Sequence, residues 1–179
     1  MKVEQSKVTK LQITEVESLD SLHVFVEDIG IGQGKITMET SSESWSAYWG
    51  GCGSKGVMAF FLSCNNPYLV NCFSRGINSE VTDYDNLDRW LKRAIIKNRR
   101  EGDFDKEDAL KHWNSVELYC QNEESFLHTD RGNELCNEII GCEWWTDLPT
   151  CKNGEYIYLE RVVHAIREAF TEINIKVAA

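Results

Sequence analysis

The chain has 179 residues, 42% of them hydrophobic, and carries 19 Lys and Arg against 29 Asp and Glu for a net charge of −10 at pH 7. That length buries a core in one domain, no run of 18 apolar residues marks a membrane span, and the acidic balance argues against nonspecific nucleic-acid binding by the whole surface. Seven cysteines, an odd number with no C-x-x-C pair and no secretion signal ahead of them, read as free thiols in a reducing cytoplasm.

In chain order, Leu11 and Ile13 alternate with Lys10, Gln12 and Thr14 and predict a first strand. After a short turn at Ser18–Ser21, Leu22, Val24 and Val26 alternate with His23, Phe25 and Glu27 in a second. Gly30 to Gly34 is glycine-rich but leads into a strand, so it reads as a hairpin turn. Ile36 and Met38 then share one face of a third strand. Thr40–Ser44 is polar and turn-like, and Trp45, Ala47 and Trp49 share one face of a fourth. A period of two across all four predicts an antiparallel meander with one buried and one wet face.

Gly51-Cys-Gly-Ser-Lys-Gly56 follows, a formal G-x-G-x-x-G ahead of a possible helix at Val57–Ser63. As a phosphate cradle it would need a buried parallel strand before it, and this strand alternates and follows a hairpin. As a P-loop it lacks the Ser or Thr after Lys55 that would bind magnesium. A tight sheet-to-helix connection is the expectation.

Downstream the pattern is helical. Asn65-Asn-Pro67 is a break, and Tyr68 to Phe73 is a short helix closed by Arg75-Gly76. Asp83 or Asp85 caps a helix to about Arg100, with Leu87, Trp90, Leu91, Ala94 and Ile95 on its buried face. Its six cations, Arg89, Lys92, Arg93, Lys97, Arg99 and Arg100, fall mainly on the other side, a basic island in an otherwise acidic chain. Asp103-Phe-Asp105 opens the next helix, with Glu107 and Asp108 in its first turn and Ala109, Leu110, Trp113, Val116 and Leu118 inside. Those four acids lack the twelve-residue ligand series of a calcium loop and read as helix capping. Residues 120–133 are loop-like, Glu134 to Ile140 is a short helix closed by Gly141, and the Trp144-Trp145 pair follows. A final helix spans about Glu155 to Asn174, with the apolar stripe Leu159, Val162, Val163, Ile166, Phe170 and Ile173. The expected fold is α+β, one domain over 1–179, mainly β over 1–50 and mainly α over 57–179.

Three chemical constellations stand beside that fold. Cys136, Cys142 and Cys151, with His128 or Cys120, form the densest thiol group, but spacings of five and eight are poor for zinc, which takes ligand pairs two to four residues apart. Glu160, His164 and Glu168 share one face of the last helix and would suit a metal or acid–base work; ion pairs with Arg161 and Arg167 explain them equally well. No G-x-S-x-G and no recognisable cysteine nucleophile is present, so no catalytic residue, cofactor or metal is expected. The aromatics say more. Tyr48 and Trp49, adjacent on a strand, point to opposite faces, and two neighbouring tryptophans at Trp144 and Trp145 resist full burial together. An exposed aromatic among carboxylates suits a protein-binding surface.

Tyr48-Trp-Gly-Gly51, Glu143-Trp-Trp145 with Leu148-Pro149, and Tyr156-Ile-Tyr-Leu159 before a terminal helix together resemble a family of small acidic accessory proteins of tailed phages and prophages of enteric bacteria. The resemblance spans most of the chain, including the opening strand, and carries no catalytic residues; Cys52 and the later cysteines fall outside it. It implies a cytoplasmic protein of the infected bacterial cell that binds and inhibits a host nucleic-acid-handling complex, of the anti-CRISPR or anti-restriction kind. The partner would be a host protein or nucleoprotein complex and not a membrane. The residues expected to meet it are Tyr48, Trp49, Asp103, Asp105, Glu107, Asp108, Trp144 and Trp145, as part of an acidic surface that also takes in 117–138. The alternative is a nucleic-acid-binding module working through Arg89, Arg93, Lys97 and Arg100. A metal- or nucleotide-dependent enzyme using Gly51–Gly56 or Glu160, His164 and Glu168 is the third reading.

Overall fold

The computed structural model describes residues 1–3 and 5–178, with side-chain surroundings up to residue 174. The fold is α+β: a four-stranded antiparallel sheet comes first, and helices dominate from Val57 onward. The chain folds into two compact units, Met1–Ser79 with Asn153–Ala179, and Glu80–Lys152. The division follows from two separate cores, each closed by helices of its own unit.

In the first unit, strands β1 (Thr9–Ile13), β2 (Leu22–Gly30), β3 (Gln33–Glu39) and β4 (Ser44–Trp49) lie in sequence order, all antiparallel. The registers Val24↔Met38 and Ile36↔Ala47 put the apolar members of each strand on one face. Leu22, Val24, Val26, Ile36, Met38, Ala47 and Trp49 are buried there. Helices α1 (Val57–Ser63), α2 (Asn66–Phe73) and α7 (Gly154–Ala178) supply the rest of this core, with Phe61 and Phe170 meeting edge-on at 5.2 Å between ring centroids. The Asn65 side chain caps α2 by accepting the Tyr68 backbone N–H at 2.9 Å, so the helix starts two residues before the expected Tyr68. Gly34 is where β3 passes α1: a Cβ there would collide with the Val57 side chain.

The second unit begins and ends on a two-stranded ribbon, β5 (Glu80–Thr82) with β6 (Thr150–Lys152), which pairs residues some seventy positions apart. Between them lie α3 (Leu87–Glu101), α4 (Lys106–Tyr119), α5 (Glu124–Leu127) and α6 (Asp130–Ile139). Their core holds Leu87, Leu91, Ile95, Val116, Leu135, Cys136 and Ile139.

Four details differ from the sequence expectation. Neither Asp83 nor Asp85 caps α3; a 3-10 turn over Tyr84–Asn86 intervenes, and Asp83 instead accepts from the Asn86 amide at 2.9 and 3.1 Å. Leu110 and Leu118 are exposed, and His112 is buried in their place, stacked on Phe104 at 4.8 Å with Nδ1 3.6 Å from Glu138. The inward face of α4 thus runs through 109, 112 and 116, the positions that meet α3 and α6. The stretch 120–133 is not loop throughout: α5 lies in it, and Thr129 opens α6 four residues early by accepting the Gly132 N–H at 2.9 Å. The small ribbon β5–β6 was outside the expectation altogether.

Candidate functional site

Helix α3 is amphipathic, and its dry side fixes where its charges go. Leu87, Leu91 and Ile95 are buried, so Arg89, Arg93, Lys97 and Arg100 project to the opposite side. At about 100° per residue these four fall within a sector of roughly 80°, and at about 1.5 Å rise per residue they spread over roughly 16 Å. All four are exposed. Among the described residues none of the four makes an ion pair or a side-chain hydrogen bond. Their neighbours do: Lys92 reaches Glu117 at 3.4 Å and Asp88 at 3.8 Å and lies over the Trp113 ring, and Arg99 donates to the Phe104 carbonyl at 3.4 Å. The helix therefore separates its six cations into two that fasten the unit together and four left facing water.

Shallow hollows flank the stripe. One of about 430 Å³ is lined by Arg93, Ile96, Lys97, Arg100 and Glu101; another of about 220 Å³ lies by Arg89, Trp90, Arg93 and Pro149. Ile96, 41% exposed, stands at the edge of the charged sector, on the side toward Leu110 and Trp113 of α4. Sequence reading passed it over, although an apolar residue three positions after Arg93 on the polar side of an amphipathic helix is a legible sign of contact. Regularly spaced, unpaired cations with an apolar residue beside them suit a chain of anionic groups, such as the phosphates of a nucleic-acid strand.

The acidic candidates have more local duties. Asp105 is the N-cap of α4, its carboxylate accepting the Asp108 N–H at 2.8 Å, and Glu107 and Asp108 occupy the first turn, where the helix dipole favours them. Of the carboxylates in 117–138, Glu117 pairs with Lys92, Glu124 with His128, Glu134 with Arg131 and Glu138 with His112. Trp144 is buried, with its indole N–H unpartnered, while Trp145 is 57% exposed and meets it edge-on at 5.9 Å. Tyr48 is exposed and Trp49 buried, on opposite faces of β4, and both belong to the first unit, whereas every other candidate of these two sets lies in the second. Of the four aromatics only Tyr48 and Trp145 are open to a partner.

The chemical candidates find no support in the geometry. The Asp28 carboxylate accepts the Val57 N–H at 2.8 Å, so the glycine loop Gly51–Gly56 delivers a helix end already filled by an anion of the protein. His164 Nδ1 is 3.7 Å from the Glu168 carboxylate, both well exposed, a contact between neighbouring turns of one helix. Among the described residues no three His, Cys, Asp or Glu are grouped to hold a metal ion. Burial pushes the thiols up, to about 11 for Cys120, with the Asp88 charge adding to it, and to about 12 for Cys136. Both therefore stay protonated at neutral pH.

The chain belongs to the phage family Phage_phiTE_072, whose model it matches over residues 1–172. No curated protein and no solved structure matches it. Among the described residues no helix is long and apolar enough to cross a membrane.

Proposed function

We propose that this phage protein is a noncatalytic accessory factor that engages a nucleic-acid-handling complex of the bacterial host, with the α3 stripe as its contact to the nucleic-acid strand. The observation that carries this reading is the set of four exposed cations at Arg89, Arg93, Lys97 and Arg100 along one side of α3, none of which has an ion pair or side-chain hydrogen bond among the described residues. Leaving cations unpaired beside so many carboxylates keeps that stripe available to an outside anion. The acidic remainder of the surface repels nucleic acid, which confines contact to this helix.

A second reading keeps the partner and changes the surface: an inhibitor that offers carboxylates to a basic site on the host complex. Trp145, exposed and flanked by Glu143 and Asp147, favours it, together with the exposed Asp103 and Glu107. It is the weaker reading because the carboxylates of 117–138 are largely paired within the unit.

Affinity capture of the tagged protein from bacterial lysate, with and without nuclease, separates the two when run beside the double variant Arg93→Glu with Lys97→Glu. Capture lost both on nuclease treatment and in the variant supports the α3 contact. A nuclease-resistant complex retained by the variant contradicts it and transfers the function to the Trp145 surface.

A further inference from the structure

The sheet of the first unit has an unguarded edge. β4 ends the strand order, and its sequence Ser44-Trp-Ser-Ala-Tyr-Trp49 contains no charge and no proline; proteins ordinarily place such residues on an exposed edge to prevent pairing. β1, at the other end, carries Lys10. The Thr40 N–H donates to the Glu43 carbonyl at 2.8 Å and closes the β3–β4 turn. Counting from that pair, Met38↔Trp45, Ile36↔Ala47 and Gly34↔Trp49 are the hydrogen-bonded pairs. The backbone N–H and C=O groups of Ser44, Ser46 and Tyr48 therefore point away from the sheet, and among the described residues no other backbone group meets them.

A trough runs along this edge. Near the β4 start it is a hollow of about 500 Å³ between Glu43 and Trp45 on one side and Ile77, Glu155 and Tyr158 on the other. Beside Ser46–Trp49 it continues as a hollow of about 600 Å³ walled by Tyr68, Cys72 and Arg75, from α2 and the residues just after it. An open strand edge beside a helix is the geometry in which extended peptides add as a further strand. Two more observations point to an occupant. Trp49 lines the second hollow, and its indole N–H is buried with no acceptor at hydrogen-bond distance among the described residues, an uncommon state for such a donor. The Tyr68 phenol there is held above its ordinary 10.0 by the Cys72 thiol and by burial; the Trp49 N–H pulls the other way but falls short of a hydrogen bond. The charges are also sorted, and among the described residues their side chains have no partner: Glu43 and Glu155 line the first hollow, and Arg75 lines the second.

We propose that the outer edge of β4 receives an extended peptide segment of another protein as a fifth strand, with a basic residue lying toward Glu43 and Glu155 and an acidic residue toward Arg75. The outward groups of Ser44, Ser46 and Tyr48 supply the main-chain bonds, and the Trp49 side chain lies along the wall the peptide meets. The strand offers six residues, about 20 Å of edge. A second copy of the chain fits less well, since its own α2 would enter the layer that α2 already occupies beside the edge.

The test uses the full chain and a random heptapeptide display library, with enriched peptides synthesised and titrated calorimetrically. The proposal expects enriched peptides that carry a basic residue at one end and an acidic residue further along. Ser46→Pro, which removes an outward N–H and leaves the bonds to β3, weakens them at least tenfold, as does Arg75→Glu. N-methylation at alternate peptide positions does the same, while methylation at the intervening positions has little effect. Should Ser46→Pro melt well below the parent, Arg75→Glu and the N-methyl series carry the test. No enrichment, or binding indifferent to Arg75→Glu and to N-methylation, overturns the proposal. So does concentration-dependent dimerisation that Ser46→Pro abolishes while no peptide is enriched, which would assign the edge to a second copy.

Discussion

Asp28 and Val57 are joined by a hydrogen bond of 2.8 Å from the Val57 backbone N–H to the Asp28 carboxylate, across 29 positions of sequence. A residue at the end of the β2 ladder thus caps the helix that follows β4, and the glycine loop between serves to bring the two together. Gly56 adopts a φ of +84° to do so, with the Asp28 oxygens 3.1 Å from where its Cβ would be. Asp28→Ala is expected to cost about 0.5–2 kcal/mol, the range of a lost N-cap, and Asp28→Asn less, because an oxygen acceptor remains. Thermal melts of the two variants check this; equal melting of all three would show that the bond carries no stability.

Arg167 ties the α1–α2 junction to α7. Its guanidinium donates to the Leu62 carbonyl at 2.8 Å, the Cys64 carbonyl at 2.6 Å and the Asn66 side chain at 3.2 Å, and lies over the Phe61 ring. Those carbonyls are the orphans of the α1 C-terminus, which a planar five-donor group satisfies together. Arg167→Met should destabilise the protein by about 1.5–3 kcal/mol, and Arg167→Lys by a smaller amount, measured by urea unfolding.

Gly132 has no room for a side chain. A Cβ there would sit 2.9 Å from the Thr129 hydroxyl oxygen and closer still to the Phe126 carbonyl, so α6 cannot enter against α5 with any other residue. Gly132→Ala is expected to cost at least about 1–3 kcal/mol through overpacking, despite alanine's better helix propensity, and circular-dichroism melts would show it. A stabilised variant would contradict the packing.

The two raised thiols set a pH dependence. In the unfolded chain Cys120 and Cys136 ionise near 9.0, in the folded protein near about 11 and about 12, so burial favours the protonated form. Their contribution to stability is complete below pH 9 and is lost as pH rises through 9 toward 11–12, since the unfolded state then holds fewer protons. Chemical denaturation between pH 8 and pH 10.5 should show the midpoint falling, and Cys136→Ala should flatten the slope. Thiol titration at pH 8 should modify the exposed Cys142 and Cys151 first and Cys136 last.

Much of the first unit was legible because its strands alternate strictly; Ile36 and Met38, or Trp45 and Trp49, have only one arrangement that keeps them dry. The long periodic helices α3 and α7 were legible for the same reason. The second unit was harder. His112 is polar by type yet buried, because Phe104 and Glu138 give its ring and nitrogen partners that no local window reveals. The β5–β6 ribbon joins three-residue strands with almost no periodicity to read. At the candidate site, the sequence placed six cations on α3 but could not say which would be consumed at home. Lys92 and Arg99 are consumed because Glu117 and the Phe104 carbonyl happen to lie beside them, a fact of tertiary structure.

The central claim is that the four unpaired cations of α3 meet nucleic acid directly. Fluorescence anisotropy of labelled duplex DNA and single-stranded RNA, titrated with the full chain over a series of salt concentrations, tests it most directly. The account predicts binding that weakens steeply with salt to at least one of the two. In the variant Arg93→Glu with Lys97→Glu it predicts at least tenfold weaker binding and a salt slope shallower by about 1–2, with an unchanged melting temperature. Absence of salt-dependent binding to either, or a double variant that binds as the parent does, would contradict it.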